Sequence, residues 1–469
     1  MRRAEGAKAR GRAAAGLLVA LMMIAAACAP NPGGAAARGT ALAAFPGAEG
    51  FGAVSSGGRG GKVVKVTNLK ADGPGSLNWA CRQEGPVTVV FDVSGVVPGN
   101  VVIRSSNVTI AGQTAPGAGI TIEGMLVTPY KAKPPLHDLV IRFLRVRPRP
   151  VKKKGHGGDC LQITGVDRLM IDHVSCSWGS DENVDLCGSR NLTVQWCAIE
   201  ESDTVGHEKG RHNFGMIMGY AGRDATVHHN LFAHHKRRAP LCGLEVLDHR
   251  NNVIYNMRGT VSFHPTRMNQ SRPGKPFRAN IIANYLKDGA DAPKQPFEGK
   301  PESIWGYGKA DVYAAGNYFT WSGGLVDPVK RPEKPWPAPA VRTETAEKAF
   351  ASVLASCGCL PRDTVGKRTI KEVRRKTGKW GRRDPRGGLM AGLTPGKAPK
   401  DSDGDGMPDE WEKAHGLNPA DPADNVKIVP AGASAGDRHK GYTYVEYYVN
   451  DLAERLIGEA AASAARGKE

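Results

Sequence analysis

The chain predicts an all-β fold: a right-handed parallel β-helix solenoid with a small helical, calcium-loop appendage at its C-terminus. Three observations predict it. Short runs rich in Val and Ile, each bounded by Gly, Asn, Asp or Pro, follow one another from Lys62 to Phe319, as strands separated by turns do. Chemically distinctive residues recur about one short repeat apart, inside the range of roughly 20 to 50 residues that marks stacked repeats: Asp159, then Asp181 and Asp185, then Lys209. Finally, an Asn precedes an apolar or aromatic pair at Asn230, Asn252, Asn284 and Asn317. Asn tolerates the left-handed backbone and bonds its own turn, so its return at one point of each coil points to stacked turns. A β-sandwich is the alternative, but its Asn-Gly and Asp-Gly hairpin turns are scarce here.

Residues 1–27 read as a signal peptide, with a basic start, a short apolar run and small residues before Cys28. Small residues before a lone Cys fit a lipoprotein processing box, so Cys28 is expected to carry a lipid, the one membrane attachment. The expected location is secreted or at a bacterial cell envelope. Residues 28–43 form a small-residue tether. The β-helix spans 44–330 in runs such as KVVKVTNL, LMIDHVSCSW and ATVHHNLFAHH. Residues 331–396 are a helical and basic linker region: a Pro-rich crossing, then TETAEKAFASVLAS and TIKEVRRKTG, the latter stopped by Gly378. Residues 397–457 hold an EF-hand-like loop and a closing amphipathic helix, and 458–469 form a tail.

With 59 Gly and 6% aromatic residues among 469, the composition suits turn-dense β structure. The net charge of +18 implies a polyanionic partner. Because the chain carries an export signal and its basic residues are not interleaved with aromatics, that partner is an acidic polysaccharide and not nucleic acid. A monomer is expected. Eight cysteines follow Cys28; buried free thiols are the expectation for those in the coil, with Cys176 and Cys197 stacked one repeat apart.

The stretch from Val140 to Pro240 contains GGDCLQI, LMIDHVSCSWGSDENVD, HEKG and HHNLFAHHKRRAP. Residues one repeat apart are neighbours in a solenoid, so Asp159, Asp181 and Asp185 would repel unless a cation sat among them. Hard oxygen ligands suit Ca2+. Asp172 and His173 are expected to brace the coil, and the adjacent pairs His228-His229 and His234-His235 face opposite sides of a strand, which disfavours a metal site. In DSDGDGMPDEWE, Asp401, Asp403 and Asp405 take positions one, three and five of a calcium loop. Gly406 takes position six, Asp409 nine and Glu412 twelve. A single loop of this kind predicts a structural staple.

With GAEGFG, IDHVSCSWGSDENVD, HNLFAHHKRRAP and the acidic loop in one exported chain, the sequence resembles the pectate lyase superfamily of parallel β-helix enzymes, over roughly Ala44–Trp321. The resemblance implies β-elimination in polygalacturonate or pectin. It places Ca2+ on Asp159, Asp181 and Asp185, a second positive charge on Lys209, and the proton-abstracting base on Arg238 of the Arg-x-Pro segment. On physics alone Arg238 serves equally as a clamp for a substrate carboxylate. Two positions depart from the family pattern: Gly157 where a second acidic ligand is usual, and Gly243 where a second arginine is usual. They predict weaker calcium and substrate binding and leave room for another uronate polymer. The basic runs at Arg147–Pro150 and Lys152–Lys154 lie beside the expected site. The alternatives are a β-helix glycoside hydrolase working through paired carboxylates and a non-catalytic solenoid that binds acidic polysaccharide.

Overall fold

Val- and Ile-rich runs favour extended backbone, yet most runs read from the sequence as one strand are two. In the computed structural model, which describes residues 42–467 apart from 131, 221, 260, 264–276, 293–309, 322–323 and 326–331, LMIDHVSCSW divides into Asp167–Asp172 and Ser175–Ser177. His173 between them takes φ 53° and turns the corner. Phe143, Trp196, His229, Asn251 and Ala283 do the same in other coils. A third strand closes seven of the coils among the described residues, here Glu182–Asp185. Signal peptide, Cys28 and most of the tether lie outside the described residues.

Repetition of this unit lays down three sheets of ten, ten and seven strands among the described residues. Pairing is parallel except where Tyr318–Phe319 meets Gly324–Leu325. Across the first sheet Ile141, Ile171, Val194, Val227, His249, Ile281 and Ala314 stand in one row. The chain is therefore a parallel β-helix. Its interior is packed with stacked aliphatic side chains, whose removal from water is the main stabilising term.

The four asparagines expected at the turns form a ladder: Asn230 Nδ2 donates to Asn252 Oδ1 at 2.9 Å, Asn252 to Asn284 at 3.1 Å, and Asn284 to Asn317 at 2.9 Å. Their backbone role differs from the expectation. The left-handed residue is the one before each: His229, Asn251, Ala283 and Gly316. The amides instead satisfy buried backbone groups at the corner. Asn230 Oδ1 accepts Cys197 N at 2.8 Å and its Nδ2 donates to Val194 O at 2.9 Å.

The segment GAEGFG straps the outer face of the first sheet. Gly52 N donates to Thr193 Oγ1 at 2.8 Å, and a Cβ there would lie 2.3 Å from Leu169 O, so only glycine fits. A single-turn helix α1 (Leu77–Ala80) starts the coil. Four more helices, α2 (Ala346–Ser356), α3 (Thr364–Arg375), α4 (Asp409–Ala414) and α5 (Tyr444–Ala465), form the appendage. The stop of α3 is Lys376 at φ 57°, two residues before the expected Gly378. Arg147 does not serve the cleft: it is buried and ion-paired with Asp363, the N-cap of α3. Cysteines 81 to 359 are all free thiols. Cys176 stands beside Ile199, and Cys197 accepts Val174 N, so the two are not stacked on each other. No helix among the described residues is long and apolar enough to cross a membrane.

Candidate active site

The third sheet sets the site. Leu161 and Val184 point into the core in paired register, which fixes the residues flanking them on the outer side. Asp159, buried just before Leu161, accepts Glu182 N at 3.0 Å and Gln162 Nε2 at 3.3 Å. In the next coils Glu182 lies opposite Phe214 and Asp185 opposite Ile217. Phe214 is bridged in turn to Arg237. Arg238 takes φ 76°, which swings its guanidinium back over the Phe214 ring, 3.9 Å from the centroid, and into an ion pair with Glu182.

Carboxylate oxygens of Asp159, Asp181 and Glu182 lie within 4.8 Å of one another. Burial, then the charges of Asp185 and Asp181, push the Asp159 carboxyl well above its usual range, with Arg238 opposing. Burial likewise raises Asp185, although Cys187 N donates to it at 2.8 Å. Burial holds Arg238 down at about 10 against the pull of Asp181 and Asp159. A half-enclosed acidic group with one cation at its edge is short of positive charge, and an added divalent ion fits that deficit and the oxygen donors present.

Asp159, Asp181 and Glu182 thus converge with Arg238, and Asp185 adds its charge to Asp159 from outside that oxygen cluster. Lys209 does not join them: its ammonium is 74% exposed and its nearest carboxylate is Glu208, 3.9 Å away. Arg168 and Arg190 pair with Asp138 and Asp167, leaving Asp181 and Asp185 to the cleft. At Gly157 a Cβ would fall 1.7 Å from Ser180 Oγ, so a second acidic ligand at this position would require Ser180 to move. Asp172 sits at the opposite corner, accepting Arg142 Nε at 2.8 Å, Gln195 Nε2 at 2.9 Å and contacting His173 Nδ1 at 2.9 Å, a brace between coils.

Sequence reasoning missed Glu182, His207 and His212. His207 Nε2 lies 3.3 Å and His212 Nδ1 3.2 Å from Asp181. His207 Nδ1 accepts Lys209 N at 3.1 Å, so the neutral ring carries its proton on Nε2, facing Asp181. Glu182 adjoins an expected ligand, and no periodic signal separates it from its neighbour; the histidines come from a connection whose length alone does not fix its path.

In the C-terminal loop Asp401 accepts Gly404 N at 2.7 Å and Gly406 N at 3.0 Å, and Asp401, Asp403 and Asp405 form one oxygen cluster. Glu412 joins Asp405 and Asp424 in a second. Burial, then neighbouring carboxylates, pushes Asp405 and Glu412 up to about 7. Asp409 turns elsewhere, accepting Ser402 N at 2.7 Å and Lys400 Nζ at 2.8 Å.

No family model matches the chain. A probable pectate lyase C of Aspergillus fumigatus is 33% identical over 436 residues, covering 88% of this chain and 94% of the relative. One from Emericella nidulans is 34% identical over 436 residues, covering 88% and 93%. Pectate lyase 1 of Ambrosia artemisiifolia is 27% identical over 322 residues, covering 61% and 74%. Among solved structures, a pectate lyase of Bacillus sp. N165 in complex with trigalacturonate superposes with a TM-score of 0.48 at 16% identity, covering 66% of this chain and 98% of that one.

Proposed function

The chain belongs to the pectate lyase family, and from that premise we propose that it is an exported polysaccharide lyase that cuts polygalacturonate or pectin by β-elimination at the third-sheet cleft. The observation that carries this reading is Arg238, half-buried over Phe214 and aimed at a crowded acidic group. A cation held by Asp159, Asp181 and Asp185 would supply charge neutralisation for a substrate carboxylate. Arg238 then takes the C5 proton: the C4–O bond breaks, a double bond forms between C4 and C5, and the departing oxygen gains a proton from water. Desolvation of the guanidinium favours its neutral form, while the Phe214 face beneath it favours the charged one. Glu182 positions it and holds it charged in the absence of substrate. Lys209, on an exposed loop, is assigned to substrate carboxylates beyond the reacting pair of sugars. Export, with a lipid on Cys28, is the matching location.

Product chemistry tests the reading. Polygalacturonate digested by the purified mature chain should gain unsaturated ends that absorb in the ultraviolet, one for each new reducing end. New reducing ends without that absorbance would make it a hydrolase instead.

A further inference from the structure

The calcium loop is incomplete as its motif defines it, and a residue outside the motif faces the gap. Position nine, Asp409, is engaged by Ser402 and Lys400 at the loop entrance. In its stead Asp424 brings a carboxylate to Asp405 and Glu412, with ligand oxygens within 4.8 Å of one another. Glu412 is wholly buried and neither of its oxygens has a hydrogen-bond partner. Nor do Asp403 Oδ2, Asp405 Oδ2 and Asp424 Oδ1, all buried. Five carboxylate oxygens left without donors, on side chains of one sign, demand a cation. Oxygen ligands alone, from flexible loops, select a hard ion of the size of Ca2+.

We propose that Asp424 completes a calcium site with Asp401, Asp403, Asp405 and Glu412, and that this ion is a clasp joining the appendage to the first coils of the β-helix. Contacts on both sides of the site define the clasp. Toward the coil, Lys65 Nζ meets Asp401 at 2.9 Å, and Gly406 approaches so closely that a Cβ would lie 2.7 Å from Val63 Cγ1. Toward the appendage, Asn425 Nδ2 donates to Asp405 O at 3.0 Å, and Trp411 Nε1 donates to Asp451 of α5 at 3.0 Å. Met407 is buried among Ala111 of the coil and Val445, Tyr448 and Val449 of α5. The clasp stands apart from the cleft and does not depend on the lyase reading.

Thermal melting of the full mature chain in calcium and in chelator tests it, together with calorimetric calcium titration of Asp424→Asn, Asp409→Asn and the cleft variant Asp181→Asn. The parent should melt higher in calcium. Asp424→Asn should lose most of that rise and bind at this site at least about tenfold more weakly, while Asp409→Asn keeps it and Asp181→Asn loses only the share the cleft contributes. Asp424→Ser, smaller and also neutral, should repeat the loss if Asp424→Asn does not fold. A parent indifferent to calcium, an Asp424 variant that keeps the rise, or an Asp409→Asn that loses it as fully as Asp424→Asn overturns the proposal.

Discussion

At the residue scale the proposed chemistry turns on one arginine, Arg238, which as the base must first give up its proton. A half-buried guanidinium held down at about 10 is still charged at neutral pH, and its neutral fraction grows about tenfold for each pH unit of rise below that value. The elimination rate should therefore climb from pH 7 and level off near pH 10, as initial rates across that range will show; a rate flat above pH 8 would point to a different base. Gly157 gives a second prediction. Because a Cβ there meets Ser180 Oγ at 1.7 Å and its Cβ at 2.7 Å, Gly157→Asp alone should lower both melting temperature and activity. Paired with Ser180→Gly it should lower the calcium concentration needed for half-maximal rate. Asp159 and Asp181 were legible in the sequence at repeat spacing, because a coil converts spacing into proximity, and Arg238 through the resemblance of its Arg-x-Pro segment. Glu182, His207 and His212 were not, since which side chain turns toward Arg238 is decided by backbone direction at a loop.

At the element scale the strands were legible and the corner was not. Branched apolar runs announce extended backbone, but a single left-handed residue such as His173 or Trp196 leaves no compositional mark. The asparagines were found for the wrong backbone reason, and their amide chain carries a testable consequence. Asn252→Ala strands the backbone N–H of Asn230 and the Val227 carbonyl inside the coil. It should cost about 1 to 3 kcal/mol for each buried group left unpaired, measured as a lowered unfolding midpoint in denaturant. The same change at an exposed asparagine would be nearly silent. Helix α3 is fastened through Glu372, which burial would raise but which His234 and Arg383 hold down at about 2. A depressed carboxylate stabilises the fold above its unfolded value near 4.5 and loses that contribution as pH falls toward 2. Acidification through this window should expose the linkers around α3 to an acid-active protease before the coil melts.

At the scale of the whole molecule, a solenoid lends itself to this chemistry because distant segments, each too short to form a site, are stacked into one rigid row. Asp159 and Asp181 come from successive coils and Arg238 from the coil beyond that of Phe214, so the cleft exists only when the stack does. The appendage covers the other corner, where Arg142 joins Asp172 to Asn450 of α5 at 2.8 Å. The architecture was legible because its repeat is written in the sequence, whereas the docking of α2 to α5 depends on pairs such as Arg147 with Asp363 and Arg59 with Glu446, which no local pattern announces. The measurement that bears most directly on the central claim is the rate of unsaturated-product formation from polygalacturonate, in saturating calcium and in chelator, for the parent, Arg238→Ala and Asp159→Asn. The account predicts a calcium-dependent rate in the parent, a rate recovered at higher calcium in Asp159→Asn, and none at any calcium concentration in Arg238→Ala. Turnover by Arg238→Ala at the parent's rate would contradict it.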